Sequence, residues 1–205
     1  MDLNNPIPQE WTSYVTQAAV GLEIVPSMLY DTLLYTDNTT RELTFFQQTN
    51  VARDVSNLKQ PGMLSNPQSF LIQNIRIYFR QPVTTTDSGA AGAFPSSINN
   101  IVLLANTGIC TLHIGTKEYG PWPIWTLPAS TFMKGMLAVA GAEAANLAHE
   151  YGQLDGPLYP LFPNLMIAPL QNFDIVLSWP TAAVDLTGNV TIQVLFDGQL
   201  ARAVQ

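Results

Sequence analysis

Alternation of apolar and polar positions runs through most of the chain. Its clearest instance is Phe70 to Arg80, where Leu71, Ile75, Ile77 and Phe79 share one face and Asn74, Arg76, Tyr78 and Arg80 the other. A period of two with one apolar side predicts a half-buried strand. The same pattern recurs at Val190 to Phe196, with Val190, Ile192, Val194 and Phe196 inside and Thr191, Gln193 and Asp197 outside. Tyr30 to Tyr35 and Glu42 to Thr49 read as two more strands, joined by a turn at Thr36, Asp37, Asn38 and Thr39. In the second of these, Leu43 and Phe45 fall on one face, Thr44 and Phe46 on the other. Ile98 to Ala105 and Ile109 to Lys117 flank Asn106, Thr107 and Gly108, a composition that predicts a hairpin. Its second strand turns Cys110, Leu112 and Ile114 inward and His113 outward. After a proline-rich link at Pro157, Pro160 and Pro163, strands resume at Leu165 to Leu170 and Asp174 to Trp179.

Four stretches depart from this alternation. Around Tyr119 to Pro128, the prolines at 121, 123 and 128 exclude a central strand, so the segment is read as an edge or crossing piece carrying Trp122 and Trp125. Residues 130 to 151 place Met133, Met136, Leu137, Ala140, Ala144, Leu147 and Tyr151 three or four apart. With Ser130 as N-cap and Gly152 as stop, they predict a single helix. Residues 83 to 97 are a small-residue loop, expected to be exposed. At the start, Pro6, Pro8 and Pro26 surround a weakly amphipathic stretch in which Trp11, Val15, Ala18, Ala19 and Leu22 recur at helical spacing, giving an arm with a short helix over 1–29. The remainder, 30–205, is then one domain of about eight strands with a helix inserted at about 130–151. Strands without alternating helices favour an antiparallel all-β sandwich over an α/β sheet.

Composition narrows what such a sandwich does. Charged residues are 11% of the chain and hydrophobic ones 47%, against roughly 25% charged in ordinary soluble proteins. A surface this poor in charge is easily buried against copies of itself. The formal net charge of −7 supplies no positive field for phosphate backbones or anionic lipid. No signal peptide or apolar span is read in the sequence.

Candidate chemistry is sparse. The chain has 2 His, whereas metal-dependent enzymes on such scaffolds need two or three with a carboxylate converging from neighbouring strands. His149 near the end of the 130–151 helix reads as a helix-dipole partner. Cys110 points into the core, and no GxSxG elbow is present. Glu143, Glu150 and Asp155 lie close in sequence but most simply decorate the solvent side of the helix. Gly89 and Gly92 sit in a loop without a nearby lysine, unlike a phosphate-binding loop. The sequence therefore predicts no catalytic residue, no cofactor site and no metal site. Arg76 and Arg80 share one outward face, where they fit anion binding, a solvated face or subunit contacts equally. Trp122 and Trp125 fit a packing bracket across the end of the sandwich, or a sugar-stacking platform with Tyr119.

The strand pattern, the inserted helix and the low-charge surface, together with the phrases LTFFQQTN, QSFLIQNIRIYF and VLFDGQLARAVQ, resemble single jelly-roll viral major capsid proteins of the tectivirus and adenovirus lineage and related membrane-containing phages. The likeness covers roughly residues 30 to 205. It implies an eight-stranded jelly roll with the helix between the sixth and seventh strands, and a non-enzymatic virion subunit that assembles into trimeric or hexameric capsomers of an icosahedral shell. Further partners implied are a second coat or penton protein and an internal membrane. Residues 1 to 40 contain no Lys or Arg, unlike the basic arms with which many small RNA-virus capsids neutralise genome, so no direct sequence-specific nucleic-acid contact is expected. In this reading the 83–97 loop faces outward, while the arm and the tail Ala201 to Gln205 reach a neighbour or an inner layer. The competing expectations are a carbohydrate-binding β-sandwich, a lectin or receptor-binding spike using Tyr119, Trp122 and Trp125, and a metal-dependent cupin-like enzyme.

Overall fold

The computed structural model describes residues 22–48, 51–80, 96–127 and 160–203. Among them are eight strands: β1 (Leu22–Tyr35), β2 (Glu42–Phe45), β3 (Ser69–Arg80), β4 (Ile109–Ile114), β5 (Lys117–Pro123), β6 (Pro160–Ile167), β7 (Phe173–Ser178) and β8 (Val190–Ala203). One α-helix, α1 (Ser96–Thr107), precedes β4, and a 3-10 turn at Ile124–Thr126 follows β5. The first sheet runs β1-β8-β3-β6 and the second β2-β7-β4-β5, every pairing antiparallel. The first strand pairs with the last, the second with the seventh, the third with the sixth and the fourth with the fifth. The described strands thus follow one long hairpin whose rungs fall alternately in the two sheets, which is a jelly-roll connectivity. The sequence expectation of an antiparallel all-β sandwich holds.

Side chains from the two inner faces form one core. Phe70, Ile72, Ile75, Ile77 and Phe79 of β3 and Val190, Ile192, Val194 and Phe196 of β8 meet Phe45, Cys110, Leu112, Ile114, Phe173, Ile175 and Leu177 of the second sheet. Removing this apolar area from water is the main force holding the sheets together. Trp179, directly after β7, is buried, donates its indole N–H to the Leu104 carbonyl at 3.1 Å, and meets Tyr35 edge to face at 4.7 Å. It thereby ties the C-terminal end of α1 to the sandwich.

Several sequence expectations are corrected. Residues 98 to 105 belong to α1 and not to a strand, so the expected hairpin around Gly108 does not form. Asn100, Ile101, Leu104 and Ala105 are the buried positions, a helical spacing, and the Gly108 N–H closes the last turn on the Leu104 carbonyl. Among the described residues, five strands precede the 130–151 region, which itself lies outside the described residues. The expected strand Ile109 to Lys117 divides at Gly115 and Thr116 into β4 and β5. β1 begins at Leu22, so 22–29 are sandwich and not arm. At the other end, Ala201 to Ala203 lie within β8, paired to β1, and are not a free tail. β6 starts inside the proline stretch, at Pro160; it is an edge strand, where Pro163 breaks no central ladder. Leu71 faces away from the core, because an irregularity in register between Ile72 and Asn74 reverses the phase of β3. Phe46 turns inward beside Phe45, because its φ is 69°.

β1 is an edge strand, and its free side is blunted. The Asn57 side chain accepts from the Tyr30 N–H at 3.0 Å and donates to the Met28 carbonyl at 2.7 Å. Gln48 donates to the Thr32 carbonyl at 2.9 Å. Pro26, in the same phase, has no N–H to offer. Edge strands that present such interrupted ladders resist pairing with another chain.

Candidate functional site

The end of the second sheet holds the aromatic candidates. Trp122 and Tyr119 are half-buried and pack against the core, whereas Trp125, on the 3-10 turn, is 55% exposed. The fold divides the expected groups: of the pair Trp122 and Trp125 read as a packing bracket, only Trp122 packs against the core, and Trp125 is open, while Tyr119, read as part of a sugar platform, packs inward with Trp122. Its turn is fixed from below by the Ile124 N–H donating to the Gly108 carbonyl at 3.0 Å. Gly108 itself has no room for a side chain, since a Cβ there would stand 2.4 Å from Ile124 Cδ1 and 2.7 Å from Trp179 Nε1.

On the outer face of the second sheet, His113 is half-buried and directed outward, as its alternation predicts. Its Nδ1 lies 2.6 Å from Asp174 Oδ1 across the β4–β7 pair, and Glu118 is its register partner on β5. Adjacent antiparallel strands bring these groups into one row. Among the described residues, no group of three or more His, Cys, Asp or Glu is arranged to hold a metal ion. His149, Glu143, Glu150, Asp155, Gly89 and Gly92 lie outside the described residues. Cys110 is fully buried in the core, where burial pushes its thiol well above the ordinary value and suppresses the reactive thiolate.

The two arginines of β3 share the outer face of the first sheet, as expected, and both are engaged there. Arg76 pairs with Asp197 of β8 at 2.6 Å. Arg80 donates to Gln193 Oε1 at 2.7 Å and lies 5.1 Å from the centre of the Tyr78 ring, while Gln193 donates onward to Thr32 Oγ1 at 3.1 Å. These cross-strand contacts knit β1, β8 and β3 together, a role that the sequence reading did not include.

Three features were missed in the sequence. Asp31 of β1 is fully buried and accepts the Phe46 N–H at 2.5 Å; burial holds its carboxyl above the ordinary range, although hydrogen bonds from Phe46, Thr32, Ser56 and Gln48 pull the other way. Its signal was present, an acid on the inward phase of a strand, and its partner was not legible. The Asn57 edge cap depends on a contact 27 residues apart in the chain and left no local pattern. A cleft of about 220 Å³ opens between the ends of β1 and β8 and the β2–β3 connection, with Ser27, Leu200 and Arg202 on one side and Lys59, Met63 and Gln68 on the other. Arg202 there is paired to Glu23 at 2.5 Å.

Among the described residues, no helix is long and apolar enough to cross a membrane. No protein-family model matches the chain, and no curated protein matches it either.

Proposed function

We propose that the protein is a capsid subunit: a structural virion protein whose jelly roll is a rigid block in an icosahedral shell built from trimeric or hexameric capsomers. The supporting observation is the connectivity, a single wound hairpin in two four-stranded sheets, an architecture used by viral capsid domains. The charge-poor composition suits the burial of large faces between copies. With Pro26, Asn57 and Gln48 obstructing the β1 edge, subunits join through sheet faces and end loops and not by adding strands there. A second coat or penton protein and an internal membrane belong to the same proposal.

The test is assembly. Purified protein is followed by light scattering across concentration and protein-to-salt ratio, and species larger than a monomer are imaged by electron microscopy. Capsomers, flat arrays or shells support the reading. The exposed Trp125 ring favours a second reading, a carbohydrate-binding sandwich. That reading gains if the protein remains monomeric and a sugar shifts tryptophan emission in the wild type but not in Trp125→Phe.

A further inference from the structure

The cleft between the ends of β1 and β8 and the β2–β3 connection has fixed walls. Gly62 of the connection donates to the Phe46 carbonyl at 2.6 Å and accepts from the Phe173 N–H at 2.7 Å, and the Asn57 side chain holds the same connection to β1. All twelve residues that line the cleft are described ones, and they include two cations, Lys59 and Arg202, and no acid. On a chain with 15 Asp and Glu against 8 Lys and Arg, that is a local reversal of charge. Lys59 comes from the connection and Arg202 from β8, so the two enter from opposite walls. Glu23 takes only the Nε of Arg202, at 2.5 Å. Nη1 and Nη2 therefore keep no partner among the described residues, and Lys59 has no ion pair there either. Leu29, Leu64, Leu200 and Met63 supply an apolar lining between them.

We propose that this cleft binds a small carboxylate with an apolar body. Two like charges that face one cleft repel until an anion comes between them. The two terminal nitrogens of the guanidinium match the two oxygens of a carboxylate, a planar pairing that a lysine alone does not select. Gln68 adds a donor, because its Oε1 accepts from Ser65 Oγ at 3.1 Å and its Nε2 hydrogens are left for the ligand. With Glu23 counted, the cleft is still positive by one charge, which suits a monoanion. Its volume, about 220 Å³, sets the size of the body. A cavity of about 150 Å³ holds benzene, whereas drug-sized ligands take about 300–1,000 Å³, so the ligand is one ring or a short chain that carries the carboxylate. A partner's helix, about 10–12 Å across, does not fit that space. The inference stands independently of the coat-protein reading.

The test uses the full chain and benzoate, followed through the methionine methyl signals. Benzoate shifts the methyl of Met63 in the cleft and leaves that of Met166 on β6 unmoved, with half-saturation at about 1 mM. Benzyl alcohol keeps the ring without the charge, and inorganic phosphate keeps a charge without the ring; each binds at least about tenfold more weakly. Lys59→Met and Arg202→Gln each weaken benzoate at least about tenfold, with urea midpoints that stay at that of the wild type. Should one of the two fail to fold, the other decides. Absence of the Met63 shift overturns the proposal, as does equal binding of either analogue or undiminished binding in a folded variant. Half-saturation that rises with protein concentration overturns it too, since a second copy then occupies the cleft.

Discussion

Replacing Asp31 with alanine removes the acceptor of the Phe46 N–H, at 2.5 Å, and of the Gln48 amide, at 3.3 Å. Phe46 has little freedom to find another partner. Its ring is 1% exposed and packs 4.8 Å from Phe196 and 5.4 Å from Phe173, its carbonyl accepts from Gly62, and its φ of 69° is one that a bulky residue adopts only under constraint. A buried donor left without a partner costs about 1–3 kcal/mol, and loss of a bond to a charged or polar acceptor adds a comparable amount. Gln48 recovers part of its loss through the Thr32 carbonyl, so Asp31→Ala is expected to destabilise by about 2–4 kcal/mol, read from urea unfolding followed by circular dichroism. Asp31→Asn keeps an acceptor and loses less. The two variants also separate in pH. Burial raises the folded carboxyl above its ordinary 3.8, so between that value and the raised one the unfolded chain ionises first. The contribution of Asp31 to stability is fully present below the unfolded value and is lost as pH rises through the folded one. Asp31→Asn lacks this loss, and the gap between it and the wild type shifts in the variant's favour as pH climbs. Parallel pH profiles, a gap of opposite slope, or a loss below about 1 kcal/mol for Asp31→Ala would refute the reasoning.

Gly198→Ala should destabilise by at least about 3 kcal/mol, since a Cβ there would stand 1.8 Å from the Leu71 carbonyl oxygen; a thermal melt near the wild-type midpoint would count against the close approach of β3 and β8. Cys110 should react with a thiol reagent only on unfolding, so its labelling rate should follow the unfolded fraction across a urea series. Asn57→Ala should cost about 1–2 kcal/mol and increase concentration-dependent association with a thioflavin signal, as the uncovered Met28 carbonyl and Tyr30 N–H become available to another strand. Trp179→Phe should lower stability by about 0.5–1.5 kcal/mol, since the Leu104 carbonyl loses the indole N–H but keeps that of Gly108, measured by the same urea titration.

Strands with one wet face were legible because their period is two: β3 beyond its irregularity, β4 and the first half of β8 emerged with the correct inward residues. The misreadings share a physical cause. Residues 98 to 105 form a short apolar run, for which strand and helix periodicity are hard to separate; the buried spacing of Ile101, Leu104 and Ala105 decides only once their packing partners, Trp179 among them, are in place. Pro160 and Pro163 argue against a strand until β6 is known to be an edge, a property of topology and not of the segment. Leu71 and Phe46 each follow from a single backbone irregularity, which alternation passes over. In the candidate site, the outward direction of His113 was legible from its strand, but Asp174, 61 residues away, was not. Trp125 differs from Trp122 by where the 3-10 turn aims its ring.

The pairing of the first strand with the last sets the order of events during synthesis. β8 lies between β1 and β3 in the first sheet, with Leu22 opposite Ala203 and Ser69 opposite Ala201. Until residues 190–203 have been translated, that sheet has no centre, and β1 and β3 are not joined by any strand. At about 5–20 residues per second, roughly 8 to 30 s separate the emergence of β1 from that of its partner. Over that interval β3 has only β6 as a neighbour in its own sheet, and β1 has none. Truncation within β8 therefore removes the centre of the first sheet and parts β1 from the β3–β6 pair, and folding is expected to complete after release in one late step dominated by long-range contacts.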